Sequence, residues 1–124
     1  MRISVCLSLK SAERTRLKAA LEGHELHYHP DSETAPRTFA ECEVAFGNPP
    51  AAWLPASGSL RWVQLESVGF GEYGELDWDS LGKRLKISNL AGFFAEPVAE
   101  SILAGVLSHY RGVAMLALLQ EHRE

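Results

Sequence analysis

Residues 60–69 read Leu-Arg-Trp-Val-Gln-Leu-Glu-Ser-Val-Gly, and this stretch contains the pattern that decides the fold. Its first six residues predict a strand, with Trp62 on one face and Val63 and Leu65 on the other. The strand runs into a turn that contains Gly69 and Gly71. Because segments with helix signals lie on both sides of it, the strand indicates an alternating α/β arrangement.

The same alternation extends in both directions from this strand. Strands are predicted at residues 2–7, 25–29, 43–47, 60–65 and 84–90. Ser11 is expected to cap a helix that Gly23 ends, and short helical turns are expected at residues 51–54 and just before Gly82. The polar, proline-bounded residues 30–36 predict a loop. Strands separated by helices need crossover connections, so we expect an α/β fold with about five strands in a mostly parallel sheet.

The segment from Pro97 to His122 predicts a different kind of element. Only Gly105 and Gly112 interrupt its helical pattern, so we expect a single helix about 40 Å long. Its apolar residues cover more than the one stripe that a helix on a single sheet needs, so the helix should pack against a further partner. Polar residues near Arg111 interrupt the apolar run, which argues against a membrane span.

Composition and charge narrow the classes of function. The chain has 124 residues and a formal net charge of −4. This length fits one domain, and the acidic balance argues against a nucleic-acid-binding surface, since such surfaces are normally basic. Two cysteines and no secretory leader indicate a reducing compartment, so we expect a cytoplasmic protein. Neither Cys6, in the first strand, nor Cys42, between two glutamates, is expected to act as a nucleophile.

Three segments of the chain resemble the D-isomer-specific 2-hydroxyacid dehydrogenases. They are residues 60–69, residues 81–89, and residues 94–100, which read Phe-Ala-Glu-Pro-Val-Ala-Glu. The family pattern is an apolar strand ending in a Val-Gly turn, a strand ending in Asn, and a helix that opens with Val-Ala-Glu. The first sixty residues also fit the family's amino-terminal half-domain. The resemblance implies a flavodoxin-like substrate-binding domain over residues 1–94, and a linker helix over 95–124 that would lead into a dinucleotide-binding domain.

The resemblance also implies a binding site for a small 2-oxo or 2-hydroxy acid. In the family, the turn after the fourth strand offers backbone N–H groups to the substrate carboxylate. That role falls on Val68 and Gly69, flanked by Ser67, and successive N–H groups beside a glycine can form a concave anion site. An ordinary strand-ending turn is the alternative. The family's usual Asp after this turn is replaced by Gly71. Asn48, expected at the same carboxyl edge of the sheet, is a second candidate for lining the cleft.

The cofactor that the resemblance implies is NAD or NADP, and we expect the parent enzyme, not this chain, to bind it. Gly69, Gly71 and Gly74 match the letters G-x-G-x-x-G. A dinucleotide fingerprint must open a long helix, however, and here a short acidic turn follows. The family's catalytic Arg, Glu and His would lie beyond residue 124, so no catalytic residue is assigned. We therefore expect an inactive amino-terminal fragment of an enzyme that interconverts a 2-oxo acid and a D-2-hydroxy acid.

The alternative is a free-standing, non-catalytic α/β module that binds a partner or a small carboxylate. A natural stop after Glu124, with no dinucleotide-domain coding beyond it, would favour this alternative. In either case the apolar surface of the last helix predicts a homodimer through that helix. Fraying beyond about Gly112 is the other outcome that a helix without a partner allows.

Two further clusters of polar residues invite a metal-site interpretation. His24, His27 and His29 form H-x-x-H-x-H, but two imidazoles on one strand face fall short of the four ligands of a structural zinc site. We expect solvated histidines instead. The acidic residues between 72 and 79 lack the ligand spacing of a calcium loop. No metal site is therefore predicted.

Overall fold

A parallel sheet forms the first of two compact units in the computed structural model, which describes residues 1–30 and 37–121. Its strands are β1 Arg2–Cys6, β2 Glu25–Tyr28, β3 Val44–Gly47, β4 Trp62–Gln64 and β5 Lys86–Ser88. They lie in the order β2-β1-β3-β4-β5, and every neighbouring pair is parallel. This is the flavodoxin-like strand order, so the predicted fold class is confirmed. The predicted loop at residues 30–36 falls, after Pro30, outside the described residues.

Short helices connect the strands. They are α1 Ser11–Ala20, α2 Arg37–Ala40, α3 Trp53–Ala56 and α4 Trp78–Leu81, with a 3₁₀ turn at Gly71–Tyr73. The predicted cap at Ser11 is wrong by one residue, because Lys10 occupies the cap position and its N–H donates to the Glu13 carboxylate over 2.7 Å. Helix α2 is not predicted from the sequence pattern.

The core lies on both faces of the central strands. From Ile3 to Cys6 every residue of β1 is buried, as is typical of a parallel strand that helices cover on both sides. Ala45 of β3 pairs with Val63 of β4, and neither residue has exposed surface. The largest side chains without exposed surface that the helices and connections contribute are Phe39, Leu54, Leu60 and Leu65.

Gly47 ends β3 in a conformation that favours glycine. Its φ is +108°, and a Cβ atom added there would lie 2.6 Å from the carbonyl oxygen of Cys6 in β1. An L side chain would therefore be strained by the backbone angle and would also collide with the neighbouring strand. This close approach fixes where the chain leaves the sheet, and hence where Asn48 lies.

Arg84 joins the segments before β4 and β5. Its guanidinium donates to the carbonyl oxygens of Leu60 at 3.1 Å and Leu54 at 3.2 Å. Leu54 belongs to α3, whose last carbonyl groups have no partner within so short a helix. The side chain therefore satisfies backbone groups that would otherwise be left unpaired at the amino edge of the sheet.

The second compact unit, described for residues 91–121, contains α5 Ala95–Arg111 and α6 Val113–Glu121. Gly112 lies between them with a φ of +63°, and its N–H donates to the carbonyl of His109 over 3.2 Å. The two helices are bent by 65° at this break. The prediction of one continuous helix from Pro97 is therefore wrong at Gly112, where a left-handed glycine ends α5. His122 lies outside the described residues.

Neither α5 nor α6, as described, contains a buried residue. No single helix of the described chain is long and apolar enough to cross a membrane, whereas α5 and α6 taken together meet that test of length and composition despite the bend. The contacts divide the chain at residue 90, close to the predicted division at residue 94. The linker role of residues 95–124 stays a prediction.

Candidate functional site

The predicted substrate-binding residues follow two adjacent strands at the carboxyl edge of the sheet. Asn48 comes directly after β3, and residues 67–69 follow β4. Asn89 follows the next strand, β5. In open parallel sheets the carboxyl ends of the strands are where ligands bind. The topology therefore brings the residues singled out in the sequence to one edge.

Hydrogen bonds hold all three carbonyl groups of the turn at residues 67–69. The Leu90 N–H donates to the Ser67 carbonyl over 3.0 Å, and the Asn89 side-chain amide donates to the Val68 carbonyl over 2.7 Å. The Ser67 hydroxyl donates to the Gly69 carbonyl over 2.7 Å. All three carbonyl oxygens of the turn thus have donors within the protein.

The N–H side of the same turn is open. Among the residues that the structure describes, no acceptor is found for the backbone N–H groups of Val68 and Gly69. Val68 is 46% exposed, so these donors lie on an accessible part of the chain. Gly69 does not have a positive φ, and the turn therefore lacks the left-handed residue of an anion nest. What it offers is two adjacent donors whose orientation the bound carbonyl groups fix.

Asn48 positions this turn. Its side-chain oxygen accepts a hydrogen bond from the backbone N–H of Glu66 over 3.2 Å. A second link joins the same two loops, since the Tyr73 hydroxyl donates to the carbonyl of Pro49 over 2.8 Å. Tyr73 is buried, and burial, followed by the nearby charge of Glu72, raises its pKa to about 12. Its proton therefore stays on the phenol and in this hydrogen bond at neutral pH.

A pocket of about 340 Å³, which we call the carboxyl-edge pocket, lies where these loops meet. Its lining includes Asn48, Ser67, Gly69, Phe70, Glu72 and Tyr73. Three of the four predicted site residues are thus brought together, and the fourth, Val68, is not part of the lining. Within the described residues, Glu72 is the one charged side chain that lines this pocket, so an anion bound here would meet a negative charge.

A second pocket, of about 760 Å³, shares Phe70 and Tyr73 with the first. We call it the apolar pocket; its lining includes Phe70, Tyr73, Trp78, Leu85, Ile87 and Asn89. The sequence pattern predicts none of these as site residues. A signal was available for Asn89 alone, because it is the Asn that ends the strand in the family pattern.

The glycines at 69, 71 and 74 do not fit a dinucleotide. They lie in the turn and in the 3₁₀ segment Gly71–Tyr73, not at the start of a long helix. Within this segment Tyr73 is buried, and Glu72 adds a carboxylate that would repel a pyrophosphate. The match to the fingerprint is therefore one of letters only.

His29, directly after β2, belongs to the protein's own hydrogen-bond network. His29 is 2.8 Å from the Ser4 hydroxyl through Nδ1 and 2.8 Å from the Thr38 hydroxyl through Nε2. The expectation of a solvated histidine is therefore wrong for His29. Burial, and then the nearby His27, lower its pKa. In the described part of the chain, no three potential ligands cluster to hold a metal ion.

Both cysteines are buried thiols. Burial raises the pKa of Cys6, and chiefly burial raises that of Cys42 to about 11. The Cys42 thiol donates to the carbonyl of Thr38 over 3.2 Å. A buried, protonated thiol is a poor nucleophile, which agrees with the expectation from the sequence.

The comparisons with known proteins show the fold. No protein-family model and no curated protein matches the chain. Among solved structures, it is similar to a D-lactate dehydrogenase with NAD⁺ from Lactobacillus jensenii, with a TM-score of 0.62 and 23% identity over 100% of this chain and 40% of that one. It is similar to a phosphoglycerate dehydrogenase from Lactobacillus plantarum, with a TM-score of 0.57 and 23% identity over 98% and 39%.

A third similar structure is a protein from Thermus thermophilus, with a TM-score of 0.56 and 20% identity over 99% of this chain and 41% of that one. At these identities the likeness establishes the architecture, which is the one expected from the sequence resemblance. The chain spans about two fifths of the length of each of these structures.

Proposed function

We propose that this chain is the substrate-anchoring part of an NAD- or NADP-dependent D-2-hydroxyacid dehydrogenase. In this proposal the N–H groups of Val68 and Gly69 bind the carboxylate of a small 2-oxo or 2-hydroxy acid. The observation that carries it is the state of the turn: its three carbonyl groups are bound by the protein, and these two donors have no acceptor in the described chain. The shared fold and the sequence resemblance support the same assignment.

The chain is proposed to have no turnover by itself. Hydride transfer needs a positioned cofactor, a group that polarises the substrate carbonyl and a proton donor near it. The carboxyl-edge pocket, as described, has neither a cationic side chain nor a histidine in its lining. Its one phenol, Tyr73, donates to Pro49 and has a pKa of about 12, so it is not suited to donate a proton to substrate. A further domain would supply these groups and the cofactor, in the cytoplasm.

The test compares the affinity for D-lactate in two variants. Because Glu72 opposes an anion in the pocket, Glu72→Gln should raise the affinity for D-lactate a few-fold, which corresponds to about 1 kcal/mol. Glu75→Gln, which removes a nearby charge outside the lining, should change this affinity less, and neutral lactamide should bind equally to the two variants.

The chain with NADH or NADPH and pyruvate, glyoxylate or hydroxypyruvate should show no cofactor oxidation. Robust turnover would contradict the proposal, and so would an affinity for D-lactate that is unchanged in Glu72→Gln.

The second part of the proposal is a homodimer through α5. Large apolar side chains are exposed along this helix, among them Val98, Ile102, Leu103, Val106 and Leu107. Its acidic residues lie at the amino-terminal end and its basic ones at the carboxyl-terminal end. Glu100 and Arg111 are eleven residues apart, so at about 100° per residue they lie on the same side of the helix, within roughly 20° of each other. Antiparallel two-fold packing would therefore place Glu100 of each copy opposite Arg111 of the other, which gives two equivalent pairs.

Charge reversal tests this arrangement by sedimentation. Glu100→Arg should raise the dissociation constant several-fold, because it breaks both symmetric pairs, each contributing up to about 1 kcal/mol. Adding Arg111→Glu should restore the dimer. A chain that sediments as a monomer at high concentration, or a double variant no better than the single one, would refute the antiparallel dimer.

A further inference from the structure

The carboxyl-edge pocket and the apolar pocket are neighbours that share two lining residues. Phe70 and Tyr73 line both the carboxyl-edge pocket and the apolar pocket. Phe70 directly follows Gly69, one of the two residues whose N–H groups are proposed to hold the carboxylate, and its side chain is 61% exposed. A group that extends from a carboxylate bound at this turn past Phe70 would have the second pocket on the other side of this side chain.

The wall of the apolar pocket presents few free polar groups. The Trp78 indole N–H donates to the Tyr73 carbonyl over 2.7 Å, and the Tyr73 hydroxyl donates to Pro49. The Ser88 hydroxyl accepts from the Trp62 indole over 2.8 Å and donates to the Gln64 side chain over 2.7 Å. Because these groups already have partners, the pocket offers mainly aromatic and aliphatic surface, and Lys86 is the charged residue in its described lining.

We infer that the apolar pocket receives the side chain of the substrate, which would then be a 2-oxo or 2-hydroxy acid with an aromatic or branched aliphatic substituent. The inference rests on the proposed function, since it uses the carboxylate bound at Val68 and Gly69 as the fixed point. A methyl substituent, as in lactate, would leave the apolar pocket empty. A phenyl substituent would lie against Phe70, Trp78 and Ile87, where burial of apolar surface adds to affinity.

The experiment is an amide-resolved NMR titration of the chain with D-lactate and D-3-phenyllactate. Phenyllactate should bind at least about tenfold more tightly than lactate, since each methylene in an apolar pocket is worth about tenfold or more. It should shift the amides of Val68 and Gly69 together with the indole N–H of Trp78 and the amide of Ile87. Lactate should shift the first pair only. The neutral 3-phenylpropanamide should bind more weakly than phenyllactate.

Two variants distinguish binding of phenyllactate in the apolar pocket from nonspecific binding to exposed apolar surface. Phe70→Ala should remove most of the advantage of phenyllactate over lactate, whereas Phe93→Ala, at another exposed phenylalanine, should leave it intact. Because Phe70 is exposed, its truncation should not prevent folding.

The titrations distinguish failure of this inference from failure of the proposed function. If lactate binds at the turn and phenyllactate binds no more tightly, the side-chain inference is wrong and the proposed anchoring role stands. If phenyllactate and 3-phenylpropanamide bind equally and shift only Trp78 and Ile87, the apolar pocket is a separate site and the inference is wrong. If neither acid shifts Val68 and Gly69, both proposals are wrong.

Discussion

The sheet unit and the helical unit differ in how far their leucine side chains are exposed. In the sheet unit, leucines such as Leu54 and Leu65 have no exposed surface. In the helical unit, Leu103 is 59% exposed and Leu118 is 56% exposed. The first unit thus completes its own core and can hold a turn in a fixed geometry. The second presents apolar surface of the kind that interaction partners cover, which is the basis of the proposed dimer.

The largest expected effect comes from making one substitution in both units. Leu54→Ala should lower the free energy of unfolding by about 3 kcal/mol, because it leaves a cavity in a packed core. Leu103→Ala should change it by less than about 0.5 kcal/mol at low protein concentration. Urea denaturation measures both. Equal losses would mean that α5 is packed into the same cooperative core, which would end the contrast between the units.

Gly47 tests whether the carboxyl edge depends on a close strand approach. Gly47→Ala should cost roughly 3 kcal/mol, because a methyl group meets the Cys6 carbonyl and the backbone angle is unfavourable for alanine. Gly58→Ala is the matched control, since a Cβ there meets nothing within 4 Å. A variant at Gly47 as stable as the control would show that the loop carrying Asn48 is not fixed in this way.

The Tyr73 hydroxyl tests the link between the two loops of the site. Tyr73→Phe should cost about 1 kcal/mol of unfolding free energy, because the buried Pro49 carbonyl loses its donor. It should also broaden the amide signals of residues 67–69 if the link orders the turn. Unchanged stability together with unchanged spectra would remove Tyr73 from the positioning of the site.

The smallest expected effect is a pH dependence from His29. Its pKa is lowered on folding from the ordinary value of 6.5, so the unfolded chain binds more protons in this range. The stability it contributes is fully present above about pH 6.5 and is lost as the pH falls through the folded-state pKa. His29→Asn should flatten this part of the stability curve, measured by urea denaturation at a series of pH values. A curve parallel to that of the unsubstituted chain would contradict the role of His29.

Much of the fold could be predicted because parallel strands leave a strong signal. The apolar residues of 60–65 occur on both faces, and β1 shows the same feature. Helix α2 escaped prediction because four residues with one buried side chain, Phe39, have no periodicity to read. The sequence shows a glycine at the position of the break, Gly112. An isolated glycine within a helical pattern does not, however, distinguish a tolerated position from a left-handed cap.

The site was predictable where topology alone decides it. Asn48, Ser67 and Gly69 meet because the carboxyl ends of β3 and β4 are neighbours in the sheet. The roles of Tyr73 and Phe70 depend instead on the 3₁₀ turn that follows, whose geometry no spacing rule gives. The hydrogen bond from Tyr73 to Pro49 joins residues 24 positions apart, and only the packed structure shows it.

The most direct measurement of the central claim is a titration of the ¹⁵N-labelled chain with D-lactate, followed at every backbone amide. We expect saturable shifts that are largest at Val68 and Gly69, and that lactamide at the same concentrations fails to produce. Shifts centred on other residues, or none that saturate, would contradict the assignment of this turn as the carboxylate anchor.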